Sequence, residues 1–153
     1  MSKIRVKENN KISLHVSEKE PYCKQWKEDV LFEFGHITNQ KGYSLKDLLS
    51  LSDKKALPSY FELISAISET TWEELKLRSK MTKGGFEMIK YDSFKTRIAD
   101  KYNKELTPDT GLLVFRFGNG DSYRMVGYKS HNCSRVFHVL GFDLDHSLYD
   151  HGQ

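Results

Sequence analysis

Two β-rich runs, Leu112-Leu113-Val114-Phe115-Arg116-Phe117 and Tyr123-Arg124-Met125-Val126-Gly127-Tyr128, meet at Gly118-Asn119-Gly120-Asp121. This feature restricts the fold most, because Asn-Gly readily adopts the positive φ angles of tight turns whose twist matches that of the strands they join. A third run, Arg135 to Phe142, follows the polar loop Ser130 to Ser134. Residues 112–117, 123–128 and 135–142 therefore predict a C-terminal three-stranded antiparallel meander. If Asn119-Gly120 is a two-residue loop, Arg116 stands opposite Tyr123 and Phe115 opposite Arg124, which puts the two arginines on opposite faces of the sheet.

Upstream, Lys11 to Val16 alternates polar and apolar residues, and Val30 to Phe34 is a second strand-like run. Helices are expected next. Ser44 with Asp47 and Thr71 with Glu74 each have the spacing of a capping box, in which hydroxyl and carboxylate satisfy each other's backbone amides. Between them, Pro58 suits the first turn of a longer helix, whose apolar face reads as Phe61, Ile64 and Ile67. The helix opened by Thr71 is expected to end before Gly84-Gly85, and a fourth helix covers about Ser93 to Tyr102. The order is N-terminal strands, three to four helices and the meander. It predicts a single α+β domain over residues 1–153, with helices on one face of an antiparallel sheet.

Composition supports a folded chain, with 38% apolar and 29% charged residues. The sequence lacks a long apolar span, and the start MSKIRVKENN lacks the apolar stretch of an export signal, so a cytoplasmic protein without membrane contact is expected. Cys23 and Cys133 are then expected as reduced thiols. Net charge is +3, less than dedicated DNA binders usually carry. Residues 71–104 hold nine Lys/Arg against five Asp/Glu, whereas residues 105–153 hold four against six. Lys76, Arg78, Lys80, Lys83 and Lys129 are accordingly the candidate nucleic-acid contacts.

Four of the six histidines, His131, His138, His146 and His151, lie in the last 23 residues among Asp143, Asp145 and Asp150. Imidazole titrates near neutral pH and a neighbouring carboxylate fixes its tautomer, so such a cluster suits general acid–base work. It matches no standard metal-ligand spacing, so neither a metal nor another cofactor is expected. Asp143 and Asp145 also suit a turn after the third strand, and His138, between Phe137 and Val139, a cross-strand position. Arg116 and Arg124 offer rigid guanidinium forks that match a phosphate. The candidate catalytic set is Arg116, Arg124, His146, Tyr149 and His151.

The segment GLLVFRFGNGDSYRMVGYK…RVFHVLGFDLDHSLYDHG resembles the ending of a loosely defined set of phage and mobile-element proteins. Their pattern, FR…RxxG…FxVLxxDxxHxLY, is matched here by Phe115, Arg116, Arg124, Gly127, Phe137, Val139, Leu140, Asp143, His146, Leu148 and Tyr149. With the upstream LPSYFELISAISETTWEEL and GFEMI, the likeness covers roughly residues 30–151. More distantly, the strand order and the arginine-bearing meander are similar to RelE/HigB-type bacterial toxins, small ribonucleases that cut mRNA without a metal. This chain differs from them in the hundred or so residues before the meander and in its ending, DHSLYDHG. The resemblance implies an RNA-directed, toxin-like or phage-defence-related ribonuclease with RNA, and an antitoxin or target protein, as partners. The alternative is a non-enzymatic phage or mobile-element interaction protein, an inhibitor or accessory factor, that binds protein or nucleic acid.

Overall fold

The computed structural model describes residues 28–99 and 106–151. Strand β1 (Leu31–Glu33) is followed by helices α1 (Leu45–Leu49), α2 (Ala56–Ser68) and α3 (Trp72–Leu77). Strands β2 (Phe86–Lys90), β3 (Gly111–Phe117), β4 (Tyr123–Lys129) and β5 (Val136–Asp143) come after them. The predicted strand at 11–16 and Cys23 lie outside the described residues, while Cys133 is exposed. No helix among the described residues is long and apolar enough to cross a membrane.

The meander stands within a residue of its predicted bounds, as β3, β4 and β5. Around it the sheet extends, among the described residues, to five strands in the order β1-β5-β4-β3-β2. Two features depart from the expected antiparallel sheet. β1 runs parallel to β5, pairing Leu31 with Val136 and Glu33 with His138. Residues 86–90, left unassigned by the sequence reading, form an edge strand antiparallel to β3. That strand is short and carries Glu87 and Lys90, so its alternation is weak, and pairing with the strongly apolar β3 specifies it.

Both capping boxes form, with Ser44 and Asp47 opening α1 and Thr71 and Glu74 opening α3. α3 ends at Leu77, well short of Gly84. Residues 78–85 instead make a loop held by Thr82 N–H to Ser79 O (2.9 Å) and Gly85 N–H to Thr82 O (2.8 Å), with Gly84 at φ +77°. α2 buries Ala56, Tyr60, Leu63 and Ile67, while Phe61, assigned to its apolar face from sequence, is 65% exposed. The helix docks with Ser59 against the β3–β4 turn, accepting the Gly118 N–H at 2.7 Å, and this fixes its rotation.

The three helices cover one face of the sheet. Tyr60, Leu63, Ile67, Trp72 and Leu75 pack there on Leu113, Phe115, Phe117, Met125, Phe137 and Phe142. The other face has its own core, in which Leu112, Val114, Val126, Tyr128 and Leu140 are covered by Tyr91, Phe94, Ile98, Leu148 and Tyr149. The predicted fourth helix does not form over its described part. Tyr91–Ser93 is a single 3₁₀ turn, and the Lys95 N–H is taken by Leu148 O at 2.8 Å. A backbone committed to the C-terminal segment cannot also make the i to i−4 bonds of a helix.

Candidate functional site

The β3–β4 connection decides where the two arginines point. Asn119–Asp121 forms a 3₁₀ turn with positive φ at Gly118, Gly120 and Asp121, so five residues separate Phe117 from its partner Tyr123. Register is one residue away from that of a two-residue loop, and Arg116 stands directly opposite Arg124. The expectation of opposite faces is therefore corrected: both lie on the face away from the helices. Gly118 has φ +90°, and a Cβ there would lie 2.5 Å from the Tyr123 ring. Gly118→Ala is expected to destabilise the protein by about 1–3 kcal/mol in urea unfolding, because it adds both backbone strain and a clash.

Arg124 is in turn opposite Asp143 on β5, so Arg116, Arg124 and Asp143 form a row across three strands. Neighbouring members are about 4.8 Å apart at the backbone. Like charges directly opposite each other are unfavourable. Glu87 offsets them at one end, its Oε1 3.8 Å from Arg116 Nη2, and Asp143 follows Arg124 in register at the other. Arg124 is 6% exposed, and its Nη1 donates to the backbone oxygens of Asp121 and Tyr123. The Nε atoms of Arg116 and Arg124 are both buried and find no acceptor among the described residues.

The segment after β5 folds back over this row. Asp143 and Asp145 do make the predicted turn, accepting the Ser147 N–H at 3.0 and 3.2 Å, with His146 at φ +60°. Leu148 and Tyr149 are then buried beside Phe94, which returns the chain so that His151 Nε2 lies 3.1 Å from Asp143 Oδ2. Asp143 is fully buried and His151 partly exposed. The His151 ring lies 4.1 Å from that of Tyr149 and 4.7 Å, edge-on, from that of His146. Arg116, Arg124, His146, Tyr149 and His151 thus converge on one end of one sheet face.

Tyr149 is 2% exposed and donates its hydroxyl to Glu87 Oε1 at 3.0 Å. Burial, reinforced by the negative charge of Glu87 and opposed by Arg124, pushes its phenol well above the usual tyrosine range, and burial does the same to Tyr60. Tyr149 is therefore a protonated donor through the neutral range. A raised folded-state pKa contributes stability that is fully present below the ordinary tyrosine value and is lost as pH climbs above it. Stability is expected to decline as pH rises beyond about 10. Tyr60→Phe combined with Tyr149→Phe should flatten that decline in alkaline unfolding curves.

The predicted basic contacts divide into two groups. Lys80 and Lys83 line a cleft of about 260 Å³ with Arg116, Ser59, Glu62 and Asp121, beside the arginine row. Lys80 reaches Glu87 at 3.6 Å and Lys83 reaches Glu62 at 2.8 Å. Arg78 donates from Nη1 to Lys83 O at 3.4 Å, bracing the same loop. Lys76 and Lys129 instead line a more apolar groove of about 900 Å³ with Trp72, Phe86, Met88 and Leu113. Lys129 sits over the Trp72 ring there, and Lys76 pairs with Glu73. Glu87, which joins Lys80, Arg116 and Tyr149, was missed from sequence because its strand was unassigned.

No family model matches the sequence, and neither a curated protein nor a solved structure shows significant similarity to it.

Proposed function

We propose that the protein is a toxin-like or phage-defence-related ribonuclease that cleaves RNA through the RNA's own 2′-hydroxyl, independently of metal. The observation that carries this reading is the pair of facing arginines, each with a buried, unsatisfied Nε–H, beside a histidine bonded to a buried aspartate. The Arg116 guanidinium, partly desolvated and set opposite the buried Arg124, suits a phosphodiester whose charge grows in the transition state. His151, oriented by Asp143, accepts the 2′-hydroxyl proton as that oxygen attacks phosphorus. The bond from phosphorus to O5′ breaks, and the departing oxygen takes a proton from protonated His146. The products are a 2′,3′-cyclic phosphate and a 5′-hydroxyl end.

Exposure divides the labour. Arg116, His146 and His151 are open enough to touch RNA, and Lys80 and Lys83 flank Arg116 along the cleft. Arg124, Asp143 and Tyr149 are buried and act as positioning groups, with Tyr149 clamping the C-terminal segment to Glu87. Incubating the full chain with a 5′-labelled single-stranded RNA in EDTA should give cyclic-phosphate ends, while the matching DNA stays intact for want of a 2′-hydroxyl. Cleavage that requires a divalent ion, or no cleavage of any RNA tried, overturns the reading. The second reading, a non-enzymatic interaction protein, is favoured by the apolar groove, where Met88 is 66% exposed beside Trp72 and Lys129. It predicts binding to RNA or protein without cleavage, with EDTA or with a divalent ion.

A further inference from the structure

A second ionisable cluster stands at the opposite end of β5, where β1 joins the sheet. Glu33 and His138 are register partners across the parallel pair, with His138 Nδ1 and Glu33 Oε2 2.9 Å apart. His36, in the turn three residues after Glu33, places its Nδ1 3.4 Å from the same carboxylate oxygen. The two imidazoles stack at 4.9 Å, and one donor atom from each of the three residues falls within 4.8 Å of the others. His36 Nδ1 is buried and has no hydrogen bond among the described residues. The Tyr128 ring, itself buried, stacks on His138 at 4.8 Å and holds its plane.

We propose that Glu33, His36 and His138 bind a zinc-class divalent ion that clips β1 to β5. Two imidazoles and one carboxylate are a ligand set that zinc takes with a water in the fourth position. At zinc bond lengths, neighbouring donors of a tetrahedral site are about 3.3 Å apart. The two distances to Glu33 bracket that value, so forming the site requires mainly that the imidazoles close on each other. The ion has a way in, since the side chains of His36 and Glu33 are 40% and 36% exposed. It also has something to do, because among the described residues β1 pairs over three residues only and lies at the edge of the sheet. The site is separate from the His151–Asp143 pair, five residues or about 16 Å away along β5. It departs from the sequence expectation of no metal, because its third ligand lies 102 positions beyond the local Glu33 and His36 pair and no spacing rule spans that gap.

The test is titration of zinc chloride into the chelator-stripped full chain, followed by calorimetry and by thermal melting. Saturation at about one ion per chain with micromolar or tighter affinity is expected, with a rise in melting temperature of several degrees. Glu33→Gln and His36→Ala should each weaken binding at least tenfold, while His151→Ala leaves it unchanged. His36→Ala removes a partly exposed ring, so a folded variant is available even if His138→Ala fails to fold. Cobalt(II) in place of zinc should give the intense visible bands of a four-coordinate ion, absent in His36→Ala. No saturable binding, or binding untouched by Glu33→Gln and His36→Ala, overturns the site.

Discussion

Replacing His151 with alanine is expected to lower RNA cleavage by about a hundred- to ten-thousandfold, the usual worth of a positioned acid or base. The melting temperature should fall by several degrees as well, because the fully buried Asp143 Oδ2 loses its hydrogen-bond partner, so cleavage is compared well below the unfolding transition. Asp143→Asn tests the partnership differently. It keeps shape and volume but replaces the carboxylate that accepts from His151 and from the Ser147 N–H. Cleavage should fall while the turn persists. Arg116→Lys keeps the charge and loses the fork, so a phosphate-binding role requires a clear loss there as well. Tyr149→Phe, by contrast, should cost about 1 kcal/mol of stability through the bond to Glu87 and spare most activity. Full cleavage by the His151→Ala and Arg116→Lys proteins would remove this end of the sheet from the mechanism and leave the binding reading.

The largest stability effect is expected from Arg124→Ala, at about 3–5 kcal/mol, because it removes a buried side chain whose charged hydrogen bonds satisfy two backbone oxygens. Arg124 Nη1 ties the backbone oxygens of Asp121 and Tyr123, holding the irregular turn against β4. Its cross-strand neighbour Asp143 is fully buried too, but that carboxylate is bonded to the Ser147 N–H and His151 and keeps both partners in the variant. For a chain of this length the loss corresponds to a fall in melting temperature of roughly 10 °C or more. Arg116→Ala makes the comparison: its side chain is 18% exposed and its nearest carboxylate oxygen is 3.8 Å away, so it should cost no more than about 1 kcal/mol. Equal losses for the two variants, measured by urea unfolding, would contradict the distinction between a buried positioning arginine and an accessible phosphate ligand.

Local chemistry in the sequence determined the parts of this fold that rest on neighbours in the chain. The capping boxes at Ser44 and Thr71 form because hydroxyl and carboxylate lie three residues apart, and the meander forms because its strands are strongly apolar and closely connected. The candidate set Arg116, Arg124, His146, Tyr149 and His151 could be read as a cluster of suitable groups near one another in sequence. Their arrangement could not. The face each arginine occupies depends on one residue of register, which goes with the five-residue connection from Gly118 to Ser122, itself tied to Ser59, 59 positions away from Gly118. Tertiary structure likewise decided that Phe94 pairs with Tyr149 rather than continuing a helix, that weakly patterned residues 86–90 become a strand, and that Glu87 reaches Tyr149. It also brought Glu33 and His36 to His138. Each of these rests on backbone or side-chain partners far away in the chain, and single-residue preferences and short spacings carry no information about partners at that range.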